Sequence, residues 1–282
     1  MAISHSRVWR CANFELPVFD RVHVMGVVNV TPDSFSDGGR FLDHSAAIAH
    51  AMTLVDDGAD IVDIGGESTR PGAESVTAEE ELARVLPVIK QVASEGAAVS
   101  VDTTKAEVAA AALDAGAAIV NDVSAFRFDP KIAAVAAEAK AGVVLMHMKG
   151  EPRTMQKDPH YDDVVAEVRK ELLDQADKAL ASGIGREAIA LDPGFGFGKT
   201  REHNLQLLRW NTTLVDDGYP VVVGPSRKSF IGLTLDLPVE ERVEGTAAVV
   251  AWLVATGAHV VRVHDVKEMV RVVRMTEAIK KA

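Results

Sequence analysis

Eight polar residues stand where eight short apolar runs end: Asn29, Asp63, Asp102, Asn121, His147, Asp192, Ser226 and His264. Asp102, Asn121 and Asp192 directly follow apolar residues, where a partly buried acceptor needs a partner. Brought to one place, these three suit a flat heterocycle with several N–H donors, such as a 2-aminopyrimidinone ring. Each has a plainer use as a cap on the next helix, above all Asp102 before Thr103-Thr104. Met146, Phe195 and Phe197 could sandwich such a ring, or simply be core. Arg227, Lys228, Arg262 and His264 form a cationic set in two short stretches. Converging cations in an acidic chain point to a specific anion. Salt bridges to strand-end acids explain one of the four more readily than all of them. Asn29 could ligate a hard cation, bond a phosphate or cap a turn. Arg70, in the loop Gly65–Gly72, is a forked donor for phosphate or carboxylate, or a solvated turn arginine.

The apolar runs must position these groups. Val22–Val30, Asp60–Ile64, Ala97–Asp102, Ala118–Val123, Val143–Met148, Ala188–Asp192, Val221–Gly224 and Val260–His264 read as strands. Their Val/Ile content and near-continuous apolarity fit a parallel sheet buried on both faces. Helical patterns lie between them: Ser45–Asp57 after the cap Asp43, a capping box at Thr77–Glu80, Asp129-Pro130 as cap and first turn, Asp162–Ser182, Arg201–Asp216, Val239–Thr256 and Val266–Lys280. Gly58-Ala59, Gly116-Ala117 and Gly257-Ala258 each close a helix just before a strand, as a left-handed glycine does. Eight strand–helix units with polar groups at the strand ends predict one α/β domain, a single (β/α)₈ TIM barrel over 21–282. Residues 1–20 read as a short N-terminal extension packed on the barrel, a hairpin or plug beneath it. The rival architecture is an open, doubly wound sheet.

Composition narrows the function. The chain has 282 residues, 48% apolar and 25% charged, with a formal net charge of −11. No long basic run exists, which argues against nucleic acid. The single cysteine, Cys11, allows no intrachain disulfide or cysteine zinc site, favours a reducing compartment and reads as incidental. Neither a signal-peptide core nor a membrane span is evident, so the expected location is the cytoplasm and no membrane partner is expected. Val249–Val254 is apolar around more of its helix than one barrel face needs, which points to a subunit contact. Gly194-Phe-Gly-Phe-Gly-Lys-Thr200 misses the Walker spacing, because Pro193 holds the first-glycine position, and it misses G-x-G-x-x-G. Its glycines are expected to shape a loop over the barrel mouth.

Five stretches together carry a resemblance: Met25–Gly39 (MGVVNVTPDSFSDGG), Glu67–Ala73 (ESTRPGA), Leu191–Lys199 (LDPGFGFGK), Ser226–Ser229 (SRKS) and Arg262–Asp265 (RVHD). In this order they resemble the motifs of the dihydropteroate synthase family, the folate-pathway enzymes targeted by sulfonamides. The likeness runs from about Val22 to the end. It implies a TIM-barrel transferase that condenses 6-hydroxymethyl-7,8-dihydropterin diphosphate with 4-aminobenzoate, giving 7,8-dihydropteroate and diphosphate. It also implies Mg²⁺ and a homodimer. By matched position, Asn29 would hold Mg²⁺ and the diphosphate, with Thr69, Arg262 and His264. Asp102, Asn121, Asp192 and Lys228 would grip the pterin between Met146 and Phe197. Phe35, Pro71 and Ser229 would meet the aminobenzoate, and Asp37, Arg70 and Lys228 would be catalytic. The family reacts by loss of diphosphate before amine attack, so no protein nucleophile is implied.

Three rivals remain on the residues alone. A non-catalytic pterin-binding paralogue would lack a loop residue, yet Asn29, Asp37, Arg70, Lys228 and His264 are present. A pterin-binding methyltransferase barrel needs no diphosphate pocket. A Schiff-base aldolase would want Lys228 isolated in an apolar pocket, and Arg227 adjoins it.

Overall fold

The computed structural model describes residues 8–31, 44–68 and 75–282. Phe35, Asp37, Asp43, Thr69, Arg70 and Pro71 lie outside the described residues. Strands β1 (Trp9–Cys11) and β2 (Phe14–Leu16) form an antiparallel hairpin. The other strands are β3 (His23–Asn29), β4 (Ile61–Gly65), β5 (Ala98–Asp102), β6 (Ile119–Asp122), β7 (Gly142–Met146), β8 (Ile189–Asp192), β9 (Val222–Val223) and β10 (Val260–Val263). They pair in parallel in the order β8-β7-β6-β5-β4-β3-β10-β9. A parallel bridge between Leu191 and Val221 joins the two ends. The amide of Leu191 donates to the Pro220 carbonyl at 2.9 Å beside it. The sheet is therefore a closed barrel. An open doubly wound sheet keeps two free edges and is ruled out here.

Alternation along each strand sorts core from site. In β4, Val62 and Ile64 pack into the core beneath the helices, whereas Ile61 joins a cluster on the barrel floor. Asp63 and Gly65 share the inward parity of Ile61. The same sorting puts Ser100 and Asp102 of β5, Asn121 of β6, Met146 of β7, Asp192 of β8 and Arg262 of β10 inside. The hairpin closes the floor: Trp9, Cys11, Leu16 and Val18 pack with Met25, Ile61 and other inward residues. The Trp9 indole donates to the Ala188 carbonyl at 2.9 Å, and the Ala12 amide to that of Lys140 at 2.8 Å. Cys11 is thus not incidental. It is fully buried, and a Cβ on Gly142 would fall 2.4 Å from its sulfur.

The helices are α1 (His44–Asp56), α2 (Ala78–Ser94), α3 (Ala106–Asp114), α4 (Lys131–Glu138), α5 (Val164–Ala181), α6 (Arg201–Arg209), α7 (Asn211–Val215), α8 (Ser229–Leu235), α9 (Val243–Ala255) and α10 (Val266–Lys281). Several sequence expectations need correction. The Thr77 hydroxyl accepts from the Glu80 amide at 3.1 Å, but the Glu80 carboxylate turns to Arg84, so that box is half made. The full box is at Thr200 and His203. Asp129 is not the capping position of α4, which Pro130 fills. Its carboxylate instead accepts from Lys131 and, at 2.9 Å, from Ala106 at the start of α3. The stretch 201–216 breaks at Trp210 into two helices, and 239–256 opens as a 3₁₀ turn before α9. Helix α8, which begins at the last residue of the Ser226–Ser229 stretch, was not expected from the sequence.

The three glycine stops behave as expected. Gly58, Gly116 and Gly257 have φ of +101°, +108° and +98°. Each following alanine amide donates 2.9 Å back to the carbonyl five residues earlier, on Leu54, Ala112 and Leu253. This is the Schellman closure. The sequence reading missed two further cases, Gly183-Ile184 and Lys140-Ala141, the latter with a lysine at φ +53°.

Candidate active site

The inward residues converge on Arg262. Its Nε donates to Asp63 Oδ2 at 2.6 Å, and its Nη2 to Asp102 Oδ2 at 2.7 Å. The Asn121 amide donates to the same Asp63 oxygen at 3.1 Å. Asp63 is fully buried and is the hub that sequence reasoning left out of the site. Its signal was a carboxylate near the end of an apolar run, at inward parity. Burial works to lower the pKa of Arg262, but Asp63 and Asp102 outweigh it and hold the guanidinium charged. Burial pushes Asp102 up to about 7, with Arg262 pulling down and Asp63 pushing up. Burial likewise lifts Asp192 to about 6, against the Gly194 amide, which donates to it at 2.7 Å, and against Lys228 and Arg262.

The four cations do not add to one positive pocket, and that expectation is corrected. Arg227 pairs with Asp265, its Nε 3.0 Å from Oδ2. Arg262 is matched by two carboxylates. Burial, then Arg262 and Arg227, depress His264 to about 3, so its ring is neutral. Its Nδ1 lies 3.1 Å from the Ser226 hydroxyl, which also accepts from the His264 amide at 3.2 Å. Lys228 stands at the start of α8 with its ammonium 4.1 Å over the centre of the Phe197 ring.

Met146 and Phe197 share an apolar cluster with Val123, Met148 and Met155. Phe195 is plain core, packed against Phe230. The glycines shape the loop as expected: Gly194, Gly196 and Gly198 have φ of +66°, +81° and +62°. A Cβ on Gly194 would fall 2.0 Å from the His147 carbonyl oxygen. Lys199 closes this loop and is buried, another residue that sequence reasoning passed over. Its ammonium reaches the carbonyls of Gly194 at 2.9 Å and Phe197 at 3.0 Å. Burial lowers its pKa to about 7. His147 faces it through Nδ1 at 2.9 Å, and burial with Lys199 lowers that imidazole to about 4.

Asn29 ends β3 half-buried at the mouth, in register with Gly65. A cavity of about 420 Å³ opens beside Asp102 at the end of β5, lined also by Glu67, Thr103, Lys105, Val123 and Arg153 among others. Lys105 ties the rim together through ion pairs to Glu67 and to Glu81. Ser229 follows Lys228 at the first position of α8. It lines a separate hollow of about 350 Å³ with Lys199, Thr200 and Phe230.

A TIM barrel with buried acceptors, a clamped arginine and an aromatic wall at its C-terminal mouth can hold a polar heterocycle edge-on. The comparisons agree. The model of the pterin binding enzyme family matches residues 25–264. The dihydropteroate synthase of Synechocystis sp. is 51% identical over 261 residues, 92% of this chain and 90% of the relative. The Xanthomonas albilineans dihydropteroate synthase solved with 4-aminobenzoic acid superposes with a TM-score of 0.90 at 46% identity, covering 98% of this chain and 99% of that one. The same enzyme with 7,8-dihydropteroate gives 0.86 at 44%, over 96% and 98%. The chain belongs to the pterin-binding enzyme family and, within it, to the dihydropteroate synthases.

Proposed function

We infer that this chain joins 6-hydroxymethyl-7,8-dihydropterin diphosphate to 4-aminobenzoate, releasing diphosphate and forming 7,8-dihydropteroate. The observation that carries this reading is the inward set Asp102, Asn121 and Asp192 around Arg262, in a chain of this family. The C–O bond to the diphosphate breaks at the ring methylene and the aryl amine forms the new C–N bond. The amine proton leaves to solvent. The ionised carboxylates of Asp102 and Asp192 accept the ring N–H groups and favour positive charge at the methylene. Asn121 and Lys228 complete the grip, and Met146 and Phe197 flank the ring. Such positioning with preorganised charge is how a site without a nucleophile accelerates a displacement.

The diphosphate would lie against Asn29, Thr69, Arg262 and His264. A Ser226 hydroxyl that donates to His264 Nδ1 leaves Nε2–H as a donor toward the anion. Asn29 also fits Mg²⁺: an amide oxygen is a hard donor, and Mg²⁺ takes few protein ligands beside substrate phosphate and water. Among the described residues no group of three His, Cys, Asp or Glu could hold a metal alone. Bound at Asn29, Mg²⁺ would neutralise charge on the leaving group. Phe35, Pro71 and Ser229 would meet the aminobenzoate, with Asp37 and Arg70 supplied by the loops after β3 and β4. Residues 1–20 form the extension and 21–282 the catalytic barrel. A cytoplasmic homodimer is part of the same proposal. Exposed Trp252 of α9, together with Leu205 and Trp210 at α6, supports a subunit contact. Among the described residues no helix is long and apolar enough to cross a membrane.

Purified protein given Mg²⁺, the pterin diphosphate and 4-aminobenzoate is expected to yield dihydropteroate and diphosphate by chromatography. No product from a folded sample would overturn the assignment. The raised carboxylates set a second expectation. With Asp192 near 6 and Asp102 near 7 in the free protein, both are largely protonated at about pH 5 and ionised at about pH 8. A ring that donates N–H bonds selects the ionised forms, so pterin affinity rises with pH across that window. Binding near pH 6 then releases protons. Calorimetry in buffers of different ionisation heat reads this, and zero proton release would remove both carboxylates from the ring.

A further inference from the structure

We propose that Lys199 is a positioning residue for the pterin ring, acting through the loop that carries Gly194 and Phe197. The proposal rests on the pterin reading above and extends it to a side chain that need not touch substrate. Lys199 is 3% exposed. Its ammonium lies 2.9 Å from the Gly194 carbonyl, 3.0 Å from that of Phe197, 3.3 Å from that of His147 and 2.9 Å from His147 Nδ1. An ammonium has three protons to give, so this cage uses all of them. Every acceptor belongs to the end of β7 or to the loop after β8, the two segments that frame the ring site.

The loop needs such a tether. Three of its residues are left-handed glycines, which lose more backbone freedom on ordering than any other residue. Other groups fix its outer part: Asn204 accepts from the Gly196 amide at 2.8 Å, and the Tyr161 hydroxyl donates to the Gly198 carbonyl at 2.9 Å. Lys199 fixes the inner part. Pinning the Phe197 carbonyl sets the ring that lies under Lys228 and beside Met146. Pinning Gly194 sets the residue whose amide holds Asp192 at 2.7 Å. Two groups assigned to the pterin therefore hang on one nitrogen. An ammonium buried against carbonyls, with no carboxylate in contact among the described residues, is a costly way to obtain stability alone.

The test uses Lys199→Met, which keeps the length and removes the charge, and Lys199→Gln, which keeps two donors. Each is made alone and with Phe197→Ala, and its folding is checked by circular dichroism. Pterin affinity is expected to fall about tenfold in Lys199→Met and less in Lys199→Gln. The KM for 4-aminobenzoate should change less than about twofold. Because one of the two routes from Lys199 runs through Phe197, adding Lys199→Met to Phe197→Ala should cost less than it costs the wild type, the remainder coming through Gly194 and Asp192. Unchanged pterin affinity in the folded variants, strict additivity with Phe197→Ala, or failure of both variants to fold would overturn the proposal. A wild type that binds no pterin would instead sink the function reading itself.

Discussion

Arg262→Met is expected to abolish turnover and to lower stability by about 3–5 kcal/mol, read by urea unfolding. Among the described residues the guanidinium is the sole cation bonded to Asp63, whose carboxylate is completely buried and whose other partner there is the Asn121 amide. Removing it leaves Asp63 and Asp102 facing each other without a counter-charge. The loss of turnover has a separate origin in the proposed function, where the guanidinium is the donor from β10 to the diphosphate. The two effects separate in Arg262→Met/Asp63→Leu. Replacing both members of a buried pair by apolar groups is often near neutral, so part of the stability should return while turnover stays absent. A urea midpoint unchanged by the single substitution would mean that the pair contributes nothing to the fold.

Lys228→Ala is the second large effect, and here activity falls with the fold intact. Its ammonium sits over Phe197 and bears electrostatically on Asp192, the two groups that the proposed function assigns to the ring as wall and acceptor. Loss of one preorganised charge at a reacting site costs about 10²–10³ in rate. The cation–π contact is worth about 0.5–1 kcal/mol at a partly exposed site, so the unfolding midpoint should shift only slightly. Steady-state kinetics with each substrate varied in turn checks this, and wild-type kcat/KM for the pterin would take Lys228 out of the site.

The architecture, and the inward placement of half of the candidate site residues, were legible because both follow from period. Apolar runs ending in Asp102, Asn121, Asp192 and His264 are read off the chain, and barrel closure alone brings them together. Asp63 was visible as a strand-end acid, but its importance depends on Arg262, which stands 199 positions away. Lys199 looked like the tail of a failed nucleotide loop. Only the path of the three glycines shows that its ammonium turns inward. The cations were overread for a related reason: charge can be counted in a sequence, whereas the pairing of Arg227 with Asp265 requires both side-chain directions. Trp210 breaks a run that has no glycine or proline, and no local signal announced it.

The repeated helix exits bear on what this chain can tolerate as it changes. Each traps the backbone in one left-handed residue and hands the next strand to the sheet at a fixed offset. A substitution elsewhere on a helix leaves that offset alone. A single-residue insertion or deletion between Gly58, Gly116 or Gly257 and the strand that follows does not. Strand side chains alternate with a period of two, so one step turns the inward set outward. At Gly257 that would send Arg262 and His264 to the helix side and bring Val261 and Val263 to the mouth. Viable length variation among descendants of this sequence should therefore gather in the loops beyond the strand ends and be missing from these three junctions.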